Sequence, residues 1–436
     1  MADDPIDEEV AEGRPVSLHA RFGRRVRAVS IDLSPLRTSR DFRLLWFGEI
    51  ISESGHQITV VAVFYQVFRL THSPVAVGLV GLVQLIPLLI ATIGGGPLVD
   101  RVDRRILLLW TQILFAITSG ILLYGAVNGH PPLALIYIAV TASAACGGLA
   151  SPTRSSLVPN LVPREQLAAA ISLNQLMWNA AMVIGPAIGG IVIAKAGLTW
   201  AYFVDVVTYA FTIGAAVLMS PQPPRRDEQS DRPSGWHAVV EAFSFLQGRR
   251  VLQSTFIVDL VAMVFGMPRA LFPILAVTQF HKGPEVVGAL FSAISVGAVA
   301  GVLTSGWMSR IEHQGRAVLI AVGVWGAGIA GFGLTGRQLV PALFLLALAG
   351  AADVISAVFR GVILQSNVPD ALRGRLSAVH ILVVTGGPRL GDMEAGIMAQ
   401  LFSPAVSVVS GGLICVAGVV ILALGVPELR RYRAAR

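Results

Sequence analysis

The chain has 436 residues, 54% of them hydrophobic and only 14% charged, with a mean hydropathy of +0.70. A water-soluble domain carries about 25% charged residues, so this composition excludes an ordinary soluble enzyme and points to lipid as the solvent. The formal net charge of +7 is spread along membrane flanks rather than gathered in one patch, which argues against nucleic acid as a partner.

Residues 1–43 are polar, acidic at first (Asp3, Asp4, Asp7, Glu8, Glu9, Glu12) and then Arg-rich. That order is unlike a cleavable signal peptide, so the first apolar span is expected to be its own anchor. Apolar stretches of about 20 residues, the length that crosses a hydrocarbon core, follow at 44–69, 75–98, 106–127, 132–153, 168–194 and 198–219. A Pro-rich polar linker, "PQPPRRDEQSDRPSG" at 221–235, comes next. In 236–248, Trp236, Val239, Val240, Phe243 and Leu246 recur at helical spacing, as in a helix lying on the membrane surface. Six further spans are read at 251–277, 285–307, 316–334, 340–362, 376–402 and 405–426. The expectation is an all-α membrane protein of twelve transmembrane helices in two pseudo-symmetric six-helix bundles. Its parts are a tail (1–43), a bundle (44–219), a linker with the amphipathic helix (220–250), a bundle (251–426) and a basic tail (427–436). Cys146 and Cys415 fall inside spans and read as small buried hydrophobes.

Charge orients this arrangement. With both termini cytoplasmic, 27 of the 33 Lys and Arg residues are assigned to the inner side, four (Arg69, Lys195, Lys282, Arg337) to the outer side, and Arg269 and Arg389 to helices. Deleting the Gly- and charge-containing span 376–402 would put "ELRRYRAAR" on the wrong side, so that span is retained. The expected location is the plasma (inner) membrane.

The two halves share a pattern. "SPVAVG" at 73–78 returns as "GPEVVG" at 283–288, and Gly96 returns as Gly306, at a displacement of 210. Arg154 and Pro163 return as Arg360 and Pro369 at a displacement of 206. A parallel duplication of this kind is a transporter plan, with solute held near the midplane between two moving halves.

The stretch "GGGPLVDRVDRR" (94–105) contains Gly96, Asp100, Arg101, Arg104 and Arg105 and resembles the loop signature of the major facilitator superfamily, with Asp103 where Gly is usual. The resemblance implies the major facilitator fold and a gate. Gly96 is expected to let helices approach, the arginines to hold the loop inside, and Asp100 to latch onto Arg154 or the start of helix 11. The second half keeps Gly306 and Met308 but has Arg310 where Asp100 stands, so the latch is one-sided. "GPAIGG", with Gly185, Pro186, Gly189 and Gly190, resembles the antiporter motif of exporters in the superfamily, its upstream glycines replaced by Ser172 and Ala181; packing alone is the competing reading. "SPLRTSRDFRLLWFGEIIS", "RALFPILA" and "PAVSVVSGG" with "PELRRYR" resemble the enterobactin-exporter branch, which moves a catecholate siderophore outward and includes drug efflux pumps.

Charges inside lipid cost about 2.5–3.5 kcal/mol each on insertion scales, so they should pair or line a wet chamber. Glu49, Glu53 and His56 share one face of helix 1. Glu53, deeper in the span than Glu49, is the expected proton carrier, with a structural hydrogen bond as the even alternative. Glu49 is expected to bond to loop arginines. Asp259 and Arg269 lie on one stripe of helix 7, and Arg389 and Asp392 are spaced for a local pair in helix 11, with Glu394 pointing elsewhere. Arg269 and Arg389 are candidates for an anionic group, Asp392 or Glu394 for a proton, and Asp353 is a weaker candidate. Asp205 reads as a packing partner. Drug/proton antiporters of the superfamily often carry an Arg midway through helix 4, and "LALIYIAVTASAACGG" (133–148) has none.

These features imply a secondary exporter that exchanges inward protons for an outward amphipathic solute, either a siderophore-like anion or a lipophilic drug. Alternatives are an importer or a lipid or metabolite transporter of the same fold, or a non-transporting receptor. Neither lysine, in "AKAG" or "HKGP", sits in a phosphate loop, and the eight histidines form no set with carboxylates, so no catalytic, metal or cofactor site is expected. The proton gradient is the expected energy source, the partners a small-molecule solute and the bilayer, and the working unit a monomer.

Overall fold

The computed structural model describes residues 32–223 and 236–433. Residues 1–31, most of the linker and 434–436 lie outside the described residues, and with them the acidic start of the tail. The long helices are α1 Arg40–Thr71, α2 Pro74–Arg101, α3 Arg104–Val127, α4 Leu133–Leu161, α5 Leu167–Ala196, α6 Leu198–Leu218, α7 Arg250–Phe265, α8 Pro284–Leu303, α9 Gln314–Leu334, α10 Leu339–Asn367, α11 Asp370–Leu401 and α12 Pro404–Gly425. Ten of the described helical segments are long and apolar enough to cross a membrane. α1 and α11 have 32 residues each and so ample length, but carry the acidic and basic side chains that keep them out of that set.

Local chemistry fixes the helix ends. Ser39, Ser73 and Ser403 accept hydrogen bonds from the backbone N–H groups of Phe42, Ala76 and Val406, and Pro74 and Pro404 open their helices. Gly197, at φ 88°, makes the turn between α5 and α6 that a side chain would strain.

Several boundaries differ from expectation. α4 runs on past 153 to Leu161, so Arg154 is a helical rather than a loop residue, and α10 runs past 362 to Asn367. The expected helix 251–277 is broken: α7 stops at Phe265, and after Gly266, Met267 and Pro268 a 3-10 turn at Arg269–Leu271 leads into Phe272–Thr278. Pro268 and Pro273 cannot donate backbone hydrogen bonds, which accounts for the interruption. Asp259 and Arg269 therefore do not share one continuous helix face. α8 ends at Leu303, and a 3-10 segment, Ser305–Arg310, replaces the rest of the expected span.

α1 packs on α5 and α6, α2 on α4, and α3 on α4 and α6; in the second group α7 packs on α11 and α12, and α10 on α8 and α9. The two groups meet at α2–α11 and α5–α8. Lipid supplies no hydrophobic drive between helices, so close approach of backbones carries these contacts. A Cβ on Gly396 would lie 2.6 Å from the Pro74 carbonyl oxygen, and one on Gly190 2.7 Å from that of Pro284. Both contacts lie toward the N-terminal ends of α2 and α8, here termed the closed end. At the opposite, open end, Gly94, Gly96, Gly306 and Gly361 have free space where a Cβ would stand.

The helix Trp236–Leu246 packs on α11, with Ala242 and Leu246 buried and Val240 and Phe243 about half exposed. The side chains of Trp236 and Val239 lie outside the described residues. Cys146 and Cys415 are free and buried.

Candidate transport site

α1 carries a polar seam through an apolar bundle. Glu49, 1% exposed, forms an ion pair with Arg154 of α4, whose guanidinium also lies 5.0 Å from the centre of the Trp178 ring of α5. A cation over an indole face gains electrostatic energy where water is scarce. One turn on, Glu53 accepts a hydrogen bond from Gln57 Nε2 at 2.9 Å within the same helix. His56 Nδ1 lies 3.1 Å from the Tyr209 hydroxyl of α6, and that tyrosine stacks on Phe115 of α3 at 5.6 Å. Asp205 of α6 is fully buried and accepts from Thr59 and Ser119, each at 2.6 Å, which ties α1, α3 and α6 together.

The second group repeats the arrangement. Asp259 of α7 forms an ion pair with Arg360 of α10, and both are buried. The displacement of 210 that relates the "SPVAVG" motifs carries Glu49 onto Asp259, and the displacement of 206 carries Arg154 onto Arg360. The duplicated chain thus holds two equivalent acid–arginine pairs. A cavity of about 440 Å³ opens beside the second, lined by Thr255, Phe256, Asp259, Arg360, Gln365 and His380 among others. His380 of α11 lies 6.4 Å from the Phe256 ring centre. Sequence reading missed His380 and used Arg360 only as a marker of the repeat. Applying the two displacements to the acids as well would have found the second pair.

Nearer the closed end, Arg269 donates to Asp392 of α11 at 3.0 Å. The local pair expected between Arg389 and Asp392 is replaced by this one, and Arg389 donates to the Thr385 carbonyl of its own helix at 2.7 Å. The break after α7 explains the exchange, because it turns Arg269 toward α11. Asp353 lies two turns before Arg360 on α10, within electrostatic range of the Asp259–Arg360 pair. Glu394 is half-buried and lies within electrostatic range of Cys415 on α12.

The signature loop is organised within its own helix group. Arg105 donates to the carbonyls of Ala216 and Val217 at 2.5 and 2.6 Å, satisfying the last turn of α6, and Arg104 donates to the Ser156 carbonyl at 3.3 Å. Asp103, the departure from the family pattern, caps α3 by accepting from Arg105 N–H at 2.8 Å and also accepts from Gln222 N–H. Arg101 is exposed. The side chains of Asp100 and of the first residues of α11 lie outside the described residues, and Arg154, a partner expected for Asp100, is engaged by Glu49 instead. Gly96 has no helix against it; Gly95 is the close contact, where a Cβ would lie 2.6 Å from the Leu149 side chain.

In α5, Gly185 and Gly189 lie against Gln57 and Ile58 of α1, whereas Gly190 and the Pro186 carbonyl meet Gly288 of α8. The same short motif therefore serves contact inside one group and contact between groups.

A family model described as transmembrane secretion effector matches residues 30–434. The enterobactin exporter EntS of Citrobacter koseri is 28% identical, over 92% of this chain and 96% of its own length. Among solved structures, a POT family transporter in complex with 5-aminolevulinic acid covers 90% of this chain and 97% of its own at a TM-score of 0.70 and 13% identity. The nucleoside transporter NupG follows with a TM-score of 0.69 at 13% identity, over 90% of this chain and 100% of its own. At these identities the two structural likenesses show the fold alone.

Proposed function

The chain belongs to the transmembrane secretion effector family of the major facilitator superfamily, and from that premise we propose that it is a secondary active exporter of an amphipathic solute, driven by proton antiport. On this reading α1 and α11 cross the membrane with the ten more apolar segments, giving twelve spans in two six-helix bundles, 44–219 and 251–426. Both termini lie in the cytoplasm, as the Arg-rich loops favour. The closed end then faces outward, and the open end presents the cavity to the cytoplasm, where an exporter loads.

The observation that carries the proposal is the pair of duplicated ion pairs, Glu49–Arg154 and Asp259–Arg360. A buried carboxylate can be protonated or can neutralise its arginine, but not both. Each pair is therefore a two-state element that a proton gradient can bias. Glu53 and His56 lie beside the first pair and His380 beside the second, offering further proton acceptors along the same path. The solute proposed first is enterobactin, for which the relatives are named, with lipophilic drugs as the second class. Asp100 and the Gly185–Gly190 motif are assigned to the gate.

Everted membrane vesicles with an acidic lumen test this. Enterobactin should accumulate inside, and collapsing the gradient should abolish uptake. Uptake that survives collapse overturns the coupling; absence of uptake with the gradient intact overturns enterobactin as the solute.

A further inference from the structure

The second half's departure from the signature loop is not explained by a gate: Arg310 stands where the first half has Asp100. α2 continues as an α-helix to Arg101, whereas its counterpart α8 stops at Leu303 and gives way to the 3-10 segment Ser305–Arg310. Beside that segment lies a groove of about 620 Å³ along α9 and α10. One end is lined by Trp307, Arg310 and Arg316, the walls by Ile320, Val324 and Leu348. Trp307, Ile320 and Leu348 are 44%, 67% and 40% exposed, so this groove opens onto the outer surface of the helix group.

We propose that the groove binds one anionic phospholipid, with its phosphodiester held by Arg310 and Arg316 and an acyl chain along Ile320, Val324 and Leu348. The guanidinium fork matches phosphate oxygens, and arginine sheds its hydration more readily than lysine at such a site. From Arg316 to Val324 the helix rises about 12 Å, enough for the glycerol unit and the first part of an acyl chain. Trp307 sits at the headgroup level, where an indole is favoured between water and hydrocarbon. Glu312 and His313 also line the rim. His313 accepts a hydrogen bond from Arg433 at 3.1 Å, so anion selectivity rests on Arg310 and Arg316. Basic pockets between helices near a membrane surface select acidic headgroups on the same principle.

The test uses the delipidated full chain in neutral detergent, titrated with phosphatidylglycerol or phosphatidylcholine of identical acyl chains and followed by native mass spectrometry. Phosphatidylglycerol should bind at least tenfold more tightly. Arg310→Gln with Arg316→Gln should bring the two lipids within twofold. Ile320→Trp, which keeps both arginines but fills the groove, should weaken phosphatidylglycerol binding several-fold. Glycerol 3-phosphate, a headgroup without chains, should not compete at millimolar concentration. Equal binding of the two lipids by the unmodified chain overturns the proposal, as does a preference that survives the double substitution. Full competition by glycerol 3-phosphate would make this a free-phosphate site instead and also overturns it.

Discussion

Asp259 and Arg360 form a buried ion pair that occupies, in the second half of the chain, the position held by Glu49 and Arg154 in the first. Two charges withdrawn from water stabilise one another only together, and removing one leaves the other uncompensated.

Arg360→Met is therefore expected to destabilise the protein by about 3–5 kcal/mol, whereas Asp259→Leu with Arg360→Met should recover most of that loss. Thermal unfolding of the purified single and double variants measures the difference. A double variant as unstable as the single one would contradict this account of the pair.

Asp205 serves packing. Losing its bonds from Thr59 and Ser119 in Asp205→Ala should cost roughly 1.5–3 kcal/mol per bond to the charged group. The solute concentration giving half-maximal transport should stay unchanged, because Asp205 is assigned no contact with solute. A large change there with unaltered melting would reverse the assignment.

α5 and α8 approach closely at the closed end. A Cβ on Gly288 would lie 2.3 Å from the Pro186 carbonyl oxygen. Gly288→Ala should cost the closed end about 1–3 kcal/mol, raising the open population roughly five- to 150-fold. Thiol labelling at Ser292→Cys, in a chain with Cys146 and Cys415 replaced by Ala, should speed up accordingly. An unchanged labelling rate would show that the contact does not hold that end shut.

For the signature loop, Asp103→Ala should lower stability by about 1 kcal/mol through loss of the α3 cap, measured by thermal unfolding with transport retained. Asp100→Asn should instead depress transport while the amount of protein in the membrane, read by immunoblot, stays constant. Full turnover in the Asp100 variant would remove the latch.

Ten of the spans were legible because hydropathy reports solvent directly. The family resemblance was legible in the 94–105 loop. Partner choice was not. Arg389 and Asp392 are three residues apart, and nothing in that spacing reveals that a break near Pro268 delivers Arg269 to Asp392. Arg154 fell outside helix 4 only because the expected end was set at 153; the structure carries the helix through Pro159, with Arg154 inside. Asp103 looked like an eroded motif and proved to be a helix cap.

The buried pairs Glu49–Arg154 and Asp259–Arg360 and the part-buried pair Arg269–Asp392 each join elements of the same group. Between groups, glycines rest against carbonyl oxygens. Swinging the closed ends apart therefore breaks none of these three pairs, but it uncovers the Asp392 carboxylate, which lies buried against Gly81 of α2. The stroke forfeits the glycine contacts and the Ser73–Gln400 and Ser292–Val183 hydrogen bonds, and returns one carboxylate to water.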